Sequence, residues 1–170
     1  MTLIAAIAIS SIAAVTDLRS RRIPNWLTYS AMLLGVGHHT MVSGAQGFFF
    51  GAAGLFLGLA LLIVFYLAGG MGAGDVKLMG AVGALLGPKG VFIAFIFTAL
   101  VGGIYAIILL LLRFRVSGTV IRLSTMFSSL RCGTSLTAAA VGTNEKTAVL
   151  NYGVAIAIGV VLSIIWNLYG

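Results

Sequence analysis

Asp17 and Asp75 are two of only three acidic residues in a chain of 170; the third is Glu145. Each lies where an apolar run meets a polar turn, in "AAVTDLRSRR" (13–22) and "GGMGAGDVKLMG" (69–80). A carboxylate at membrane depth costs roughly 2.5–3.5 kcal/mol at a helix centre on insertion scales, and less near the interface. Two that come within about 4–6 Å of each other cannot both ionise easily, so they share a proton. Such a pair can split a peptide bond. The ionised member takes a proton from an attacking water, and the protonated member polarises the carbonyl and then helps the amine leave.

The rest of the chain must bring these two residues together across 58 positions of sequence. It is 61% hydrophobic and only 8% charged, whereas a soluble domain carries about 25% charged residues. A small soluble core could not hide that much apolar surface, so lipid is the solvent for most of it. The apolar runs are continuous rather than alternating, which excludes a β-barrel pattern. The fold class expected is all-α: a polytopic membrane protein of about six transmembrane helices in a single domain, 1–170.

The first segment, 2–16, is short of the roughly 20 residues that span a bilayer. Its helix is therefore expected to run on through Asp17. The start is apolar without a basic leader region, which reads as a first membrane helix rather than a cleaved signal peptide. Arg19, Arg21 and Arg22 follow. Pro24 disfavours helix at Ile23 and suits a helix start, so the second segment should begin there and run to about Ser43. Trp26 and Tyr29 suit an interfacial belt. His38 and His39 could bind a metal, but neighbours on a helix point about 100° apart, so they read as an interfacial polar pair. The third segment is 48–68, where Gly47/Gly51 and Gly54/Gly58 allow close helix packing.

A glycine-rich turn with Asp75 and Lys77 leads into segment four, 76–87. That segment is too short to cross unless Asp75 and Lys77 are drawn into its helix. After the turn Pro88-Lys89-Gly90, segment five covers 91–112 and segment six 148–170. Between them, 113–147 is a basic loop with Arg113, Arg115, Arg122, Arg131 and Lys146. Val120, Leu123, Phe127 and Leu130 recur in it at helical spacing. It reads as an amphipathic helix on the membrane surface followed by a Ser/Thr-rich linker, with a disordered basic loop as the alternative.

Six segments put the loops 17–25, 69–77 and 113–147 on one side, with nine of the ten basic residues. The other side holds Lys89 alone. By the positive-inside rule the first side is cytoplasmic and both termini are outside. The formal charge of +7 therefore reports orientation and not nucleic-acid binding. Asp17 and Asp75 fall on the same, cytoplasmic, face. One cysteine, Cys132, excludes an internal disulfide and a cysteine-based zinc site. The glycines beside Asp75 lack phosphate-loop spacing, so no metal or cofactor is expected. Gly72 and Gly74 would let a substrate backbone approach Asp75. The residues alone leave three other readings open: local pairing of each aspartate with a cation, a small proton- or cation-coupled transporter, and a non-catalytic scaffold.

At this point the sequence resembles a known family. "GAGD" (72–75) is similar to the G-x-G-D motif of intramembrane aspartyl proteases, and "GAGDVKLMGAVGALLG" (72–87) to the second motif of type IV prepilin peptidases. "DLRSRRIPNWLT" (17–28) resembles their first motif, an Asp followed by I-P-N and L-T. "LNYGVAIAIG" (150–159) resembles their terminal P-Y-G-type segment, with Asn151 where proline is usual. The resemblance implies that Asp17 and Asp75 form a catalytic pair. It also implies that the enzyme removes the short basic leader of prepilin-like proteins at the cytoplasmic face of the bacterial inner membrane. Pro24 and Asn25 would start helix two and position Asp17, and Lys77 would be a charge that tunes the pair. Long members carry a cytoplasmic N-terminal domain with paired cysteines, linked with zinc and with methylation. This chain instead looks like the short (CpaA/TadV-like) branch of tight-adherence, Flp-type pili, for which the resemblance does not imply methyltransferase activity. The partners expected are a prepilin-like substrate and the lipid bilayer.

Overall fold

The computed structural model describes residues 2–20, 22–68, 70–113 and 152–169. The expected amphipathic helix and basic loop at 113–147 lie outside these residues apart from Arg113. All the elements described are helical: α1 (Thr2–Ser20), α2 (Asn25–Leu67), α3 (Ala73–Arg113) and α4 (Tyr152–Tyr169). Three of them, α1, α2 and α3, are long and apolar enough to cross a membrane. This is the architecture that continuous apolar runs without strand-like alternation require.

α2 has 43 residues and would measure about 65 Å if straight, roughly twice the hydrocarbon thickness. It does not run straight. Gly44, at φ 58° and ψ −136°, interrupts it, and the chain doubles back. A Cβ on Gly51 would lie 3.1 Å from Val36 Cα, although fifteen residues of unbroken helix span about 22 Å. α3, with 41 residues, breaks in the same way at Gly87, at φ 75° and ψ −179°, just before Pro88. The expected turn at 88–90 is thus a sharp break one residue earlier.

The two legs of α2 pack on the first leg of α3 through glycine. Gly54 and Gly83 meet backbone to backbone, and a Cβ on Gly35 would stand 2.7 Å from the Ala84 carbonyl. Removing side chains at such points lets helix axes approach closely, which compensates for the weak hydrophobic drive between helices in lipid. Leu78, Met79, Val82, Val91, Ile156 and Val160 are fully buried. The first leg of α3, which also buries Ala81 and Ala84 completely, is the centre of the bundle.

Buried hydroxyls satisfy themselves locally. Ser10 Oγ donates to Ala6 O at 2.7 Å and Thr98 Oγ1 to Ala94 O at 2.7 Å. Ser163 Oγ instead reaches across from α4 to Gly90 O at 3.2 Å, fixing the far end of α4 against the second leg of α3.

His39 has a structural task. Its Nε2 donates to Leu85 O at 3.1 Å, next to the break at Gly87, where helix carbonyls lose their regular partners. Phe50 packs edge-on to the His39 ring, with centroids 5.1 Å apart. The same Phe50 ring fills the space beside Gly87. Gly87 is therefore held by two demands, a backbone conformation open only to glycine and the contact with Phe50. Gly87→Ala is expected to lower stability by about 1–3 kcal/mol, read by thermal unfolding in detergent. Gly37→Ala, with nothing within 4 Å of the new Cβ, should be neutral or slightly stabilising.

Candidate active site

Asp17 sits one turn before the end of α1, so the helix does continue through it. It is 9% exposed. Arg19 follows on the surface in the last turn of the same helix. Pro24 is the N-cap of α2, at φ −64° and ψ 131°, and its carbonyl accepts from Leu27 N at 3.2 Å. Its fixed φ is compatible with the extended conformation of an N-cap, one residue before the first helical position. Asn25 is the first residue of α2.

α3 starts at Ala73, earlier than a turn extending to residue 77 would allow, so Asp75 and Lys77 lie inside the helix. Asp75 is 8% exposed. Its Oδ2 accepts from Gly72 N at 3.2 Å, and its own N–H donates to Gly72 O at 3.1 Å. This is a capping-box arrangement, in which a side chain at the third helical position reaches back to the amide before the helix. The sequence offers Asp75 as a chemical group; the structure adds that it also closes the start of its helix.

The other motif residues gather at the same end. Lys77 Nζ donates to Asn25 Oδ1 at 3.0 Å and lies 5.2 Å from the centre of the Tyr29 ring. Lys77 thus ties the motif after α1 to the motif at the start of α3. Gly74 faces Ile23, whose Cβ would stand 3.3 Å from an added Cβ, and Gly72 faces Asp75 Oδ2 at 3.3 Å. Both glycines have an internal reason to lack side chains, besides any clearance for a substrate.

Asp17 and Asp75, on different helices, are within Coulombic reach of one another. Tyr152, the first residue of α4, is in turn within reach of Asp75. Gly102 faces Tyr152 Cε1, 3.9 Å from an added Cβ, which puts residues 75 and 102 at one end of the bundle. A straight α3 would separate them by about 40 Å, so the break at Gly87 is what returns the second leg to this end.

One contact here was not anticipated. Gly153 N donates to Asp17 Oδ2 at 3.2 Å. A Tyr-Gly pair ahead of an apolar run was the available signal, but a main-chain donor leaves no side-chain trace in sequence.

A profile of the type IV leader peptidase family matches residues 4–107, more than half of the chain. The chain belongs to that family. Comparison with curated proteins and with solved structures gives no match. Family membership supports a leader-peptidase role for this chain, and both aspartates and every residue of the two motifs fall inside the matched span. The last helix, with Tyr152 and Gly153, falls outside it.

The hydrogen bonds separate folding from chemistry at these positions. An asparagine keeps a side-chain oxygen that accepts from the same amide; an alanine does not. Asp17→Asn and Asp75→Asn in this leader peptidase are expected to insert and melt like the wild type. Asp75→Ala should cost about 1 kcal/mol for the lost cap. Asp17→Ala should cost about 1–3 kcal/mol for the buried amide left unpaired. Thermal melts of the four purified variants check this.

Proposed function

We propose that this chain is an aspartic endopeptidase that removes the leader from prepilin-like proteins, with Asp17 and Asp75 as its catalytic dyad. The observation that supports the reading is that two buried carboxylates, 58 positions apart, lie within Coulombic reach of each other, inside the span that matches the leader peptidases. In apolar surroundings two neighbouring carboxylates are most stable with one proton between them. The ionised one draws a proton from water as that water attacks the scissile carbonyl. The other donates to the carbonyl oxygen, and a proton passes to the departing amine.

The bundle is read as six spans, each broken helix crossing twice. The site end then carries nine of the ten Lys and Arg residues and faces the cytoplasm of a bacterial inner membrane. A prepilin has a basic leader followed by an apolar membrane helix, so its scissile bond lies at the interface, level with a dyad at the helix ends. A glycine at the cleavage point would ease local unwinding of the substrate. The basic residues of the enzyme set topology and bind anionic head groups; they are not assigned to the leader.

Coexpression with a candidate prepilin tests the proposal. Leader removal should fall by at least about 100-fold in Asp17→Asn and in Asp75→Asn, with normal insertion of both. Processing that survives either substitution would reject the dyad. Carboxylate-dependent ion flux without cleavage would favour a transporter. For orientation, Lys89→Cys in a Cys132→Ser background should react with an impermeant thiol reagent from outside the cell. Labelling from the cytoplasmic side alone would overturn the topology.

A further inference from the structure

We infer that Gly153 is a positioning residue for Asp17: its N–H aims the carboxylate, and its missing side chain is the space the carboxylate occupies. The inference rests on the proteolytic reading above and extends the site to a helix beyond the residues matched by the family.

The contact answers a need on each side. Gly153 is the second residue of α4, so its amide has no partner within that helix. It is buried, where an unpaired amide is costly. Asp17 needs a donor because it is a buried carboxylate on a helix whose own amides are already used. The bond from Gly153 N to Asp17 Oδ2, 3.2 Å long, satisfies both. It engages one carboxylate oxygen; Oδ1, which accepts no hydrogen bond from the described residues, is the one assigned to water or the shared proton.

The space is equally specific. A Cβ on Gly153 would stand 2.9 Å from Asp17 Oδ2, 3.0 Å from its Cβ and 3.2 Å from its Cγ. Something must give, and α4 cannot retreat along the bundle. Six residues on, a Cβ at Gly159 would already be 2.7 Å from the Thr98 backbone nitrogen. Four residues further, Ser163 is bonded to Gly90 O. Oδ2 and Cγ can swing away about χ1, while Asp17 Cβ, at 3.0 Å, has to give by only a few tenths of an ångström. A methyl group at 153 therefore displaces the reacting group and leaves the bundle standing, whereas a methyl group at 159 strains the bundle and leaves the reacting group in place.

The test uses the full-length protein in proteoliposomes with a synthetic prepilin. Gly153→Ala is expected to keep KM within about twofold and to lower kcat by about a hundredfold, the scale of a misplacement near 1 Å. Gly159→Ala should melt lower while its folded fraction keeps the wild-type kcat. A stability cycle gives a readout that does not depend on activity. Any loss of melting temperature caused by Gly153→Ala should shrink in an Asp17→Ala background, because Oδ2 and Cγ, two of the three atoms it would crowd, are gone while Cβ remains. A Gly153→Ala enzyme with wild-type kcat, or stability losses that add in the cycle, overturns the positioning role. If Asp17→Asn still cleaves, or the wild type cleaves no prepilin, the proteolytic reading fails and the positioning role with it, even where the cycle reports contact.

Discussion

A carboxylate placed among apolar helices must find hydrogen-bond donors that the lipid cannot supply. Helix backbones offer almost none, since their amides are committed to their own turns. The exceptions are the first amides of a helix. Both aspartates use that exception. Asp75 takes the amide of Gly72 at the start of its own helix, and Asp17 takes the amide of Gly153 at the start of another. The arrangement of the molecule depends on this constraint: two helix starts must lie beside two carboxylates, at one end of the bundle.

The breaks at Gly44 and Gly87 deliver that end. Each turns the chain back, so that residues 75 and 102 come to the side where α1 ends, α2 starts and α4 begins. Glycine contacts between α2 and α3 hold the legs close, and His39 closes the break at Gly87 from the opposite end. A bundle assembled this way is closely packed around the central leg of α3, which carries Asp75 near its start. Lys77, bonded to Asn25, keeps that end in register with the loop after Asp17. The site is thus supported by backbone geometry more than by side-chain networks.

Much of this was legible in the sequence because the signals were strong in kind. Continuous apolar runs specify membrane helices, Pro24 marks a helix start, and two rare acids at the ends of apolar runs stand out against a lipid environment. The passage of helix α1 through Asp17 followed from length alone. The start of α3 at Ala73 was harder, because a glycine-rich stretch reads as a turn. Its helical state is stabilised by the Asp75 cap, a side-chain bond to the amide three residues back that per-residue propensity does not weigh. His39 was read as a polar pair with His38, since a break needing a donor 46 residues away leaves no pattern. Gly153 was quoted with its segment, yet its use of a main-chain amide and an absent side chain gave nothing to count.

The central claim is that Asp17 and Asp75 face each other in the folded protein. Cysteines in both places, in a Cys132→Ser background, measure this in native membranes through the yield of a short bis-thiol cross-link. The account predicts efficient bridging of Asp17→Cys with Asp75→Cys and none of Asp75→Cys with His38→Cys at the opposite end. Failure of the first pair to bridge, or equal bridging of both, would contradict it.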